Sequence, residues 1–343
     1  MISDEVYMKR CLDLASRGKG LVAPNPMVGA LVVCEDQIIG EGYHQQFGGP
    51  HAEVHALQGL DDDVLKRSTL YVNLEPCAHH GKTPPCADLI VQKQLKRVVI
   101  ACQDSYSEVA GKGIEKLIRH GIKVHGGVLE QESRELNKRF FHFHEQKRPY
   151  VILKWAQSLD GFMDAERNDT EKGPIWISSP ESQVLSHHWR SEEQAILIGR
   201  NTLETDDPSL TVRRVHGKNP IRVLLDSKLS VAGHYQLFND EAPTLILNQL
   251  KDEISGNMKY MKLPAMSAEK VLEALYQENI QSVIIEGGQQ VLNSFISENL
   301  WNEARVITGP VKLKQGLPAP VLQRIPDHSE KHFNDRIHRF FNT

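Results

Sequence analysis

The sequence is short of several features that would mark other classes of protein. It has no apolar run that approaches the roughly 18 residues of a membrane span, so we expect no membrane partner. Residues 1–5 are acidic and no apolar stretch follows, which argues against a signal peptide. The formal net charge is −4 and no basic block stands out, which disfavours a partner made of nucleic acid. The five cysteines are an odd number, which fits reduced thiols and a cytoplasmic location.

What the sequence does contain is two successive α/β patterns. A length of 343 residues favours two domains, and Lys147-Arg148-Pro149 is typical of a boundary, which gives domains 1–147 and 148–343. The first has a hairpin at 27–43, strands at 69–74 and 97–101, and helices at 114–120 and 129–145. The second has strands near 150–156, 195–199, 220–226, 243–247, 281–286 and 303–308, with helices near 180–190, 267–278 and 288–298. The fold class is therefore α/β, with a three-layer first domain.

One stretch carries a chemical signature. His51 and Glu53 form an H-x-E motif, and Cys77 and Cys86 follow two proline-containing turns. One imidazole and two thiols fill three positions of a tetrahedral zinc, which leaves one position open, as in catalytic sites. H-x-E followed by P-C…C is the pattern of zinc-dependent base deaminases, although here eight residues separate the cysteines instead of two. The alternatives are two buried thiols or a structural zinc, and a structural zinc leaves Glu53 without a role.

The motifs of the first domain stand in a recognisable order. They are Asn25-Pro26-Met27-Val28-Gly29, Gly49-Pro50-His51-Ala52-Glu53, Glu75-Pro76-Cys77 with Pro84-Pro85-Cys86, and Val109-Ala110-Gly111-Lys112-Gly113. This order resembles the deaminase half of the bifunctional deaminase/reductase family of riboflavin biosynthesis. The resemblance implies a cytidine-deaminase-like fold in which His51, Cys77 and Cys86 hold zinc and Glu53 carries the catalytic proton. It also implies substrate contacts from Asn25, His44, His79, Lys82 and Asp104. The family's Asp-Pro-Asn-Pro loop appears here as Asp104-Ser105-Tyr106-Ser107.

The second domain alone predicts little beyond α/β, since it has no G-x-G-x-x-G fingerprint. Its motifs, from Lys154-Trp155-Ala156 through Leu225-Asp226-Ser227 to Glu286-Gly287-Gly288, resemble the reductase half of the same family. The resemblance implies a dihydrofolate-reductase-like fold that uses NADPH to reduce a ribosyl chain to ribityl. The implied cofactor contacts are Ala156, Trp176, Thr202, Asp206, Ser227 and the segment from Gly288 to Ser294. The implied substrate contacts are Arg190, Leu210, Arg213 and Glu286.

Together these patterns predict a bifunctional enzyme that acts on 2,5-diamino-6-(5-phosphoribosylamino)pyrimidin-4(3H)-one, a small phosphorylated pyrimidine. Two alternatives stay open at this point. One is a deaminase of nucleic-acid bases, which the net charge of −4 disfavours. The other is a deaminase whose second half is inactive and serves as a binding module, because Lys172-Gly173-Pro174-Ile175 and Gln289-Gln290 depart from the family pattern. The family pattern also suggests a homo-oligomer.

Overall fold

The computed structural model describes residues 2–78, 84–105, 110–167, 172–231 and 233–342. The chain divides into two compact units, residues 1–147 and 148–343. Within the described ranges, no helix is both long and apolar enough to cross a membrane.

The first unit is built on a five-stranded sheet with the order β2-β1-β3-β4-β5, as traced over its described residues. Its elements are α1 (Asp4–Ser16), β1 (Gly29–Cys34), β2 (Gln37–Tyr43), α2 (Ala52–Leu57), α3 (Asp62–Leu65), β3 (Thr69–Leu74), α4 (Cys86–Gln92), β4 (Arg97–Cys102), α5 (Lys112–Arg119), β5 (Lys123–Gly126), α6 (Glu130–Leu136) and α7 (Lys138–Gln146). The hairpin β1–β2 is antiparallel, whereas β3, β4 and β5 run parallel.

The three central strands are buried almost throughout, which explains their nearly continuous apolar sequences. Apolar clusters pack on both sides of this sheet, which confirms the three-layer prediction. Leu74 pairs with Cys102 at the carboxyl ends of β3 and β4. The segments that follow these two strands therefore leave the sheet at the same edge, which brings the turn of Cys77 beside the loop of Asp104.

Two glycines in β2 allow α2 to lie directly on the sheet. A Cβ atom on Gly40 would stand 2.2 Å from the carbonyl oxygen of Ala56, and one on Gly42 would stand 2.3 Å from that of Ala52. Both distances are far below van der Waals contact. The strand thus sets the position of the short helix that carries Glu53 in its first turn.

The second unit contains a ten-stranded sheet of order β11-β12-β10-β9-β8-β13-β6-β14-β17-β16, together with the pair β15-β7, in its described part. Its elements are β6 (Tyr150–Gln157), β7 (Phe162–Ala165), α8 (Pro180–Glu192), β8 (Ala195–Gly199), α9 (Arg200–Asp206), β9 (Ile221–Leu225), β10 (Thr244–Asn248), β11 (Glu253–Ser255), β12 (Met258–Lys262), α10 (Ala268–Gln277), β13 (Ser282–Ile285), α11 (Gln289–Ser297), β14 (Glu303–Thr308), β15 (Gly316–Pro318), β16 (His328–His332) and β17 (Asp335–Phe341).

Parallel pairing in the middle of this sheet gathers several loops at one edge. β8 pairs with β9 so that Gly199 faces Leu225, and β13 pairs with β8 so that Ile285 faces Leu197. Residues 200–202, 226–228 and 286–288 follow directly after these strands. In open parallel sheets this edge is the usual place for ligands.

The structure differs from the sequence expectations in several places. The helix expected over 129–145 is two helices, α6 and α7, because Asn137 interrupts it. The side-chain oxygen of Asn137 accepts from the Met27 N–H at 2.8 Å, and its NH₂ group donates to the Met27 carbonyl at 2.9 Å. The helix of Glu53 begins at Ala52 with His51 as its N-cap residue. The strands β5 and β16 were not expected, since their exposed polar sequences lack an apolar pattern.

We predict that Gly42→Ala lowers the free energy of unfolding by about 1–3 kcal/mol, the usual cost of forcing extra atoms into a packed site. The added methyl group would push α2 away from β2. Gly126→Ala is the matched control, because a Cβ on Gly126 meets nothing within 4 Å and the residue lies on the same sheet. Urea denaturation of both variants measures the difference, and equal stabilities would contradict the packing argument.

Candidate active sites

Three side chains predicted as metal ligands converge in the first unit. The donor atoms of His51, Cys77 and Cys86 all lie within 4.8 Å of one another. The His51 Nδ1 atom is 3.6 Å from the Sγ of Cys77 and 3.3 Å from the Sγ of Cys86. One imidazole nitrogen and two sulfurs at this spacing are a donor set that suits zinc.

Each of these side chains is fixed by the end of a regular element. His51 caps α2, Cys77 lies three residues beyond β3, and Cys86 is the first residue of α4. The backbone N–H of Cys86 donates to the Cys77 Sγ at 3.3 Å, and that of Ala87 donates to the Cys77 carbonyl at 3.1 Å. These two bonds join the start of α4 to the turn of Cys77.

The electrostatics favour a thiolate at Cys77. A hydrogen bond from the Cys86 thiol lowers the pKa of Cys77 to about 4, although burial opposes the shift, and His51 lowers it further. The thiolate is the form that binds metals. The residues present therefore fit a zinc ion both in donor type and in charge.

Glu53 lies close to this cluster in a dry environment. Its side chain sits in the first turn of α2, and the residue is only 3% exposed. Burial raises the pKa of the Glu53 carboxyl, and the neighbouring Cys77 thiolate raises it further. A carboxyl group in such a place retains a proton more readily than an exposed one, which is the property required of a proton carrier.

Two of the predicted substrate residues form a pair. The Nδ1 of His44 lies 3.0 Å from the carbonyl oxygen of Pro50, which only accepts, so Nδ1 carries the proton. The Nε2 of His44 then accepts a hydrogen bond from the Asn25 amide at 3.1 Å. Burial lowers the pKa of His44, which favours this neutral form. The chain thereby fixes the orientation of the Asn25 amide.

The other predicted deaminase contacts differ in what the structure shows. The backbone N–H of Asp104 donates to Glu75 at 3.3 Å, which places its loop beside the turn of Cys77. His79 and Lys82 lie outside the described residues.

A cavity of about 580 Å³ opens at the carboxyl edge of the second unit's sheet. Its size is typical of a small-molecule site. Five of the predicted cofactor residues line this cavity. Of the predicted substrate residues, Glu286 lines it as well. The cofactor residues are Ala156, Thr202, Asp206, Ser227 and Gly288.

Glycines shape one wall of this cavity. A Cβ on Gly287 would stand 2.7 Å from that of Ile198, so β13 and β8 approach closely there. Gly288 has a φ of 64°, and a Cβ there would stand 3.2 Å from the Thr202 Oγ1. Backbone without side chains at this turn leaves room for an extended cofactor, as NADPH requires.

The remaining predicted residues are not on the cavity wall. Trp176 is 63% exposed, although its neighbour Ile175 does line the cavity. Leu210 is buried, and the Arg213 guanidinium donates to Thr211 at 3.1 Å. Arg190 lies behind the wall and donates to the Glu286 carboxylate at 2.9 Å.

Lys154 is a cavity residue whose role the sequence did not predict. Its Nζ lies 3.9 Å from the Oε2 of Glu286, and both side chains are nearly buried. Burial lowers the pKa of the Lys154 ammonium. Burial opposes ionisation of Glu286, but Arg190 and Lys154 together bring its pKa below the ordinary value. The signal was present in the sequence, since Lys154 is the one charged residue in the apolar strand β6.

Buried polar atoms without partners also point to a ligand. Within the described part of the chain, the Oε1 of Glu286 and the Nε of Arg190 are buried and make no hydrogen bond. An unsatisfied buried group costs about 1–3 kcal/mol. The unpaired Oε1 of Glu286, a residue of the cavity wall, is explained when a substrate supplies the missing donor.

Comparisons with known proteins agree with both sites. Residues 1–102 match the family model described as the cytidine and deoxycytidylate deaminase zinc-binding region, and residues 149–318 match the RibD C-terminal domain. The riboflavin biosynthesis protein RibD of Aquifex aeolicus is 42% identical over 92% of this chain and 89% of its own length. The chain belongs to the RibD family.

Two further members extend the comparison. The RibD protein of Bacillus amyloliquefaciens is 42% identical over 93% of this chain and 87% of its own. A solved Thermotoga maritima structure is named a diaminohydroxyphosphoribosylaminopyrimidine deaminase/5-amino-6-(5-phosphoribosylamino)uracil reductase. It superposes with a TM-score of 0.86 at 35% identity, over 98% of this chain and 97% of that one.

Family membership confirms several predictions. The chain is a bifunctional deaminase and reductase of riboflavin biosynthesis. The cytidine-deaminase-like first domain and the dihydrofolate-reductase-like second domain are confirmed as well. So are the two cofactors, Zn²⁺ for the deaminase and NADPH for the reductase. The assignment of roles to individual residues remains a prediction.

We predict that Arg190→Met destabilises the protein by about 3–5 kcal/mol, because removing one partner leaves the buried Glu286 charge poorly compensated. Lys270→Met is the control, since its exposed pair with Glu273 should contribute less than about 1 kcal/mol. Urea denaturation gives both values. Similar losses in the two variants would show that the Arg190–Glu286 pair is not a buried ion pair in solution.

Proposed function

We propose that the first unit deaminates 2,5-diamino-6-(5-phosphoribosylamino)pyrimidin-4(3H)-one and that the second reduces the product's ribosyl chain to ribityl with NADPH. The observation that carries the first step is the convergence of His51, Cys77 and Cys86 beside the buried Glu53. The name of the related Thermotoga maritima enzyme supports this choice of substrate.

We assign the zinc ion to His51, Cys77 and Cys86. Three protein ligands leave a fourth position for the reaction, as in other catalytic zinc sites. When bound, zinc makes a hydroxide nucleophile available near neutral pH by lowering the pKa of its water to about 7.

Glu53 handles the protons of the reaction. Its buried carboxylate accepts a proton from the attacking nucleophile and, as the carboxylic acid, delivers it to the exocyclic nitrogen. The amino group then leaves as ammonia, and a carbonyl oxygen replaces it on the ring.

Asn25 and His44 select the pyrimidine. Because His44 occupies one amide hydrogen of Asn25, the amide is oriented in advance and its oxygen remains available to accept from a ring amine. Asp104 follows β4 at the same edge of the sheet. By resemblance to the family, His79 contacts the substrate and Lys82 pairs with its phosphate as a flexible point charge.

In the second unit, NADPH would be held by Ala156, Thr202, Asp206, Ser227 and Gly288, which line the cavity, and, by resemblance to the family, by Trp176. When bound, NADPH supplies the hydride. By resemblance to the family, substrate contacts come from Arg190, Leu210, Arg213 and Glu286, and of these four Glu286 lines the cavity. Lys154 holds a proton at Nζ on the cavity wall beside Glu286, and we assign proton delivery to it in preference to Asp206, which lines the same cavity beside Arg167.

We also propose that the enzyme works in the cytoplasm as a homo-oligomer. The five free cysteines, which include the two of the zinc site, fit a reducing compartment. In the second unit, Val321 and Ile325 are 74% and 86% exposed, and contact with another copy would cover such residues. Light scattering of the purified protein tests the association.

We expect Glu53→Gln to keep its zinc and to lose ammonia release by about 100-fold or more, the usual contribution of a general acid–base. Metal analysis and an ammonia assay measure the two properties separately. Cys86→Ser is the companion variant, and we expect it to lose the metal as well as the activity. Full ammonia release by Glu53→Gln would remove Glu53 from the mechanism, and unchanged zinc in Cys86→Ser would remove that ligand.

NADPH oxidation should require the deaminated pyrimidine as its substrate. We further expect Lys228→Gln, which changes a cavity residue next to Ser227, to raise the KM for NADPH about tenfold or more and to leave that for NADH unchanged. The reason is that Lys228 and Ser227 meet the 2′-phosphate found only in NADPH. Lys270→Gln is the control, because Lys270 pairs with Glu273 on the exposed face of α10. The absence of oxidation with pure deaminated product would favour an inactive binding module.

A further inference from the structure

Glu75 is a buried carboxylate at the end of β3 that no step of the reaction uses. The residue is 4% exposed, and its side chain accepts four hydrogen bonds from backbone N–H groups. Its Oε1 atom accepts from Gly113 at 2.9 Å and from Ile114 at 3.2 Å. Its Oε2 atom accepts from Gly111 at 2.9 Å and from Asp104 at 3.3 Å.

These donors come from two segments that are otherwise separate. Gly113 and Ile114 lie in the first turn of α5, where N–H groups have no partner within the helix. Asp104 lies in the loop after β4. One carboxylate therefore joins the start of α5 and the Asp104 loop to the strand β3. A negative charge is favourable there, because the N–H dipoles and the helix N-terminus are all directed at it.

The glycines of the Gly111-Lys112-Gly113 motif make this arrangement possible. Gly111 has a φ of 78°, which a residue with a side chain adopts at a cost. A Cβ on Gly113 would stand 2.0 Å from the carbonyl oxygen of Pro76, so only glycine lets α5 approach the turn. The contact atom belongs to the residue between Glu75 and Cys77.

We infer that Glu75 is a positioning residue of the zinc site. It holds the Glu75-Pro76-Cys77 turn against α5 on one side and the Asp104 loop on the other, so one carboxylate sets a metal ligand and a substrate contact together. The backbone supports the same link, since the N–H of Glu75 donates to the Cys102 carbonyl at 3.0 Å. The inference rests on the proposed role of Cys77 as a zinc ligand.

The competing explanation is that Glu75 only stabilises the fold by capping α5. The two explanations differ in what a variant does to the metal. A cap alone changes the free energy of unfolding and leaves zinc affinity as it was. A positioning residue changes zinc affinity by more than the loss of stability explains.

Glu75→Gln is the informative substitution because the two side chains have the same shape. Each carboxylate oxygen serves two donors, so either orientation of a glutamine amide would aim its NH₂ group at two backbone N–H groups. We expect zinc affinity to fall about 10- to 100-fold, the usual effect of changing a residue that orients a metal ligand. The apoprotein is titrated with zinc in competition with a chromophoric chelator, which requires no enzymatic activity. The KM for the pyrimidine should rise too, because the Asp104 loop loses its anchor.

Leu65→Ala is the matched control. Leu65 is fully buried on α3 in the same unit, and its truncation should destabilise the protein by about 2–5 kcal/mol without changing the zinc ligands. Weaker zinc binding in Glu75→Gln than in Leu65→Ala supports the inference. Equal zinc affinity in the two variants overturns it, and Glu75 is then a cap alone.

Two further variants separate the possible failures. Cys77→Ser tests the ligand assignment, and if it binds zinc as the unmodified protein does, the proposed zinc site is wrong and this inference falls with it. If Cys77→Ser loses zinc and Glu75→Gln does not, only the role of Glu75 is wrong. Glu75→Asp keeps the charge on a side chain that is shorter by one methylene group. If Glu75→Gln fails to fold, Glu75→Asp is measured in its place, and its zinc affinity is compared with that of Leu65→Ala in the same way.

Discussion

Both active sites depend on negative charge that is buried where parallel strands end. In the first unit the Cys77 thiolate and the Glu75 carboxylate lie within three residues of the end of β3. In the second unit Glu286 follows β13 directly. Burying an ionised group away from water is unfavourable unless hydrogen bonds or opposite charges replace the lost hydration. The groups that replace the lost hydration in each unit determine which chemistry its site supports.

The two units meet the requirement differently. The first surrounds Glu75 with backbone N–H groups from the start of α5 and from the Asp104 loop, and these groups are not ionisable. The second surrounds Glu286 with the side chains of Arg190 and Lys154, which are charged and carry protons. A carboxylate held by backbone N–H groups suits a site whose metal ligands must keep fixed positions. A cluster of ionisable side chains suits a site that must supply a proton while a cofactor supplies the hydride.

The sequence predicted the parts of these sites that are local. His51 and Glu53 form one short motif, and Cys77 and Cys86 form another. The residue types in these motifs are those that zinc-dependent deamination requires. The sequence did not predict the features that depend on contacts between residues far apart in the chain. Glu75 has no signal beyond its place before Pro76, because its donors are 29 to 39 residues away. The break at Asn137 depends on Met27, which is 110 residues earlier. The contact between Lys154 and Glu286 likewise joins residues that only the sheet brings near each other.

Hydrogen bonds to Cys77 explain why its long spacing from Cys86 is compatible with a metal site. The Cys86 N–H bonds to the Cys77 sulfur and the Ala87 N–H bonds to the Cys77 carbonyl, so the two ends of the loop are tied to each other directly. The distance between the ligands is then independent of how many residues lie between them. Lengthening a loop whose ends are fixed costs only about 0.6 kcal/mol for each doubling. The first unit can therefore bring Cys77 and Cys86 together with eight residues between them as readily as with two.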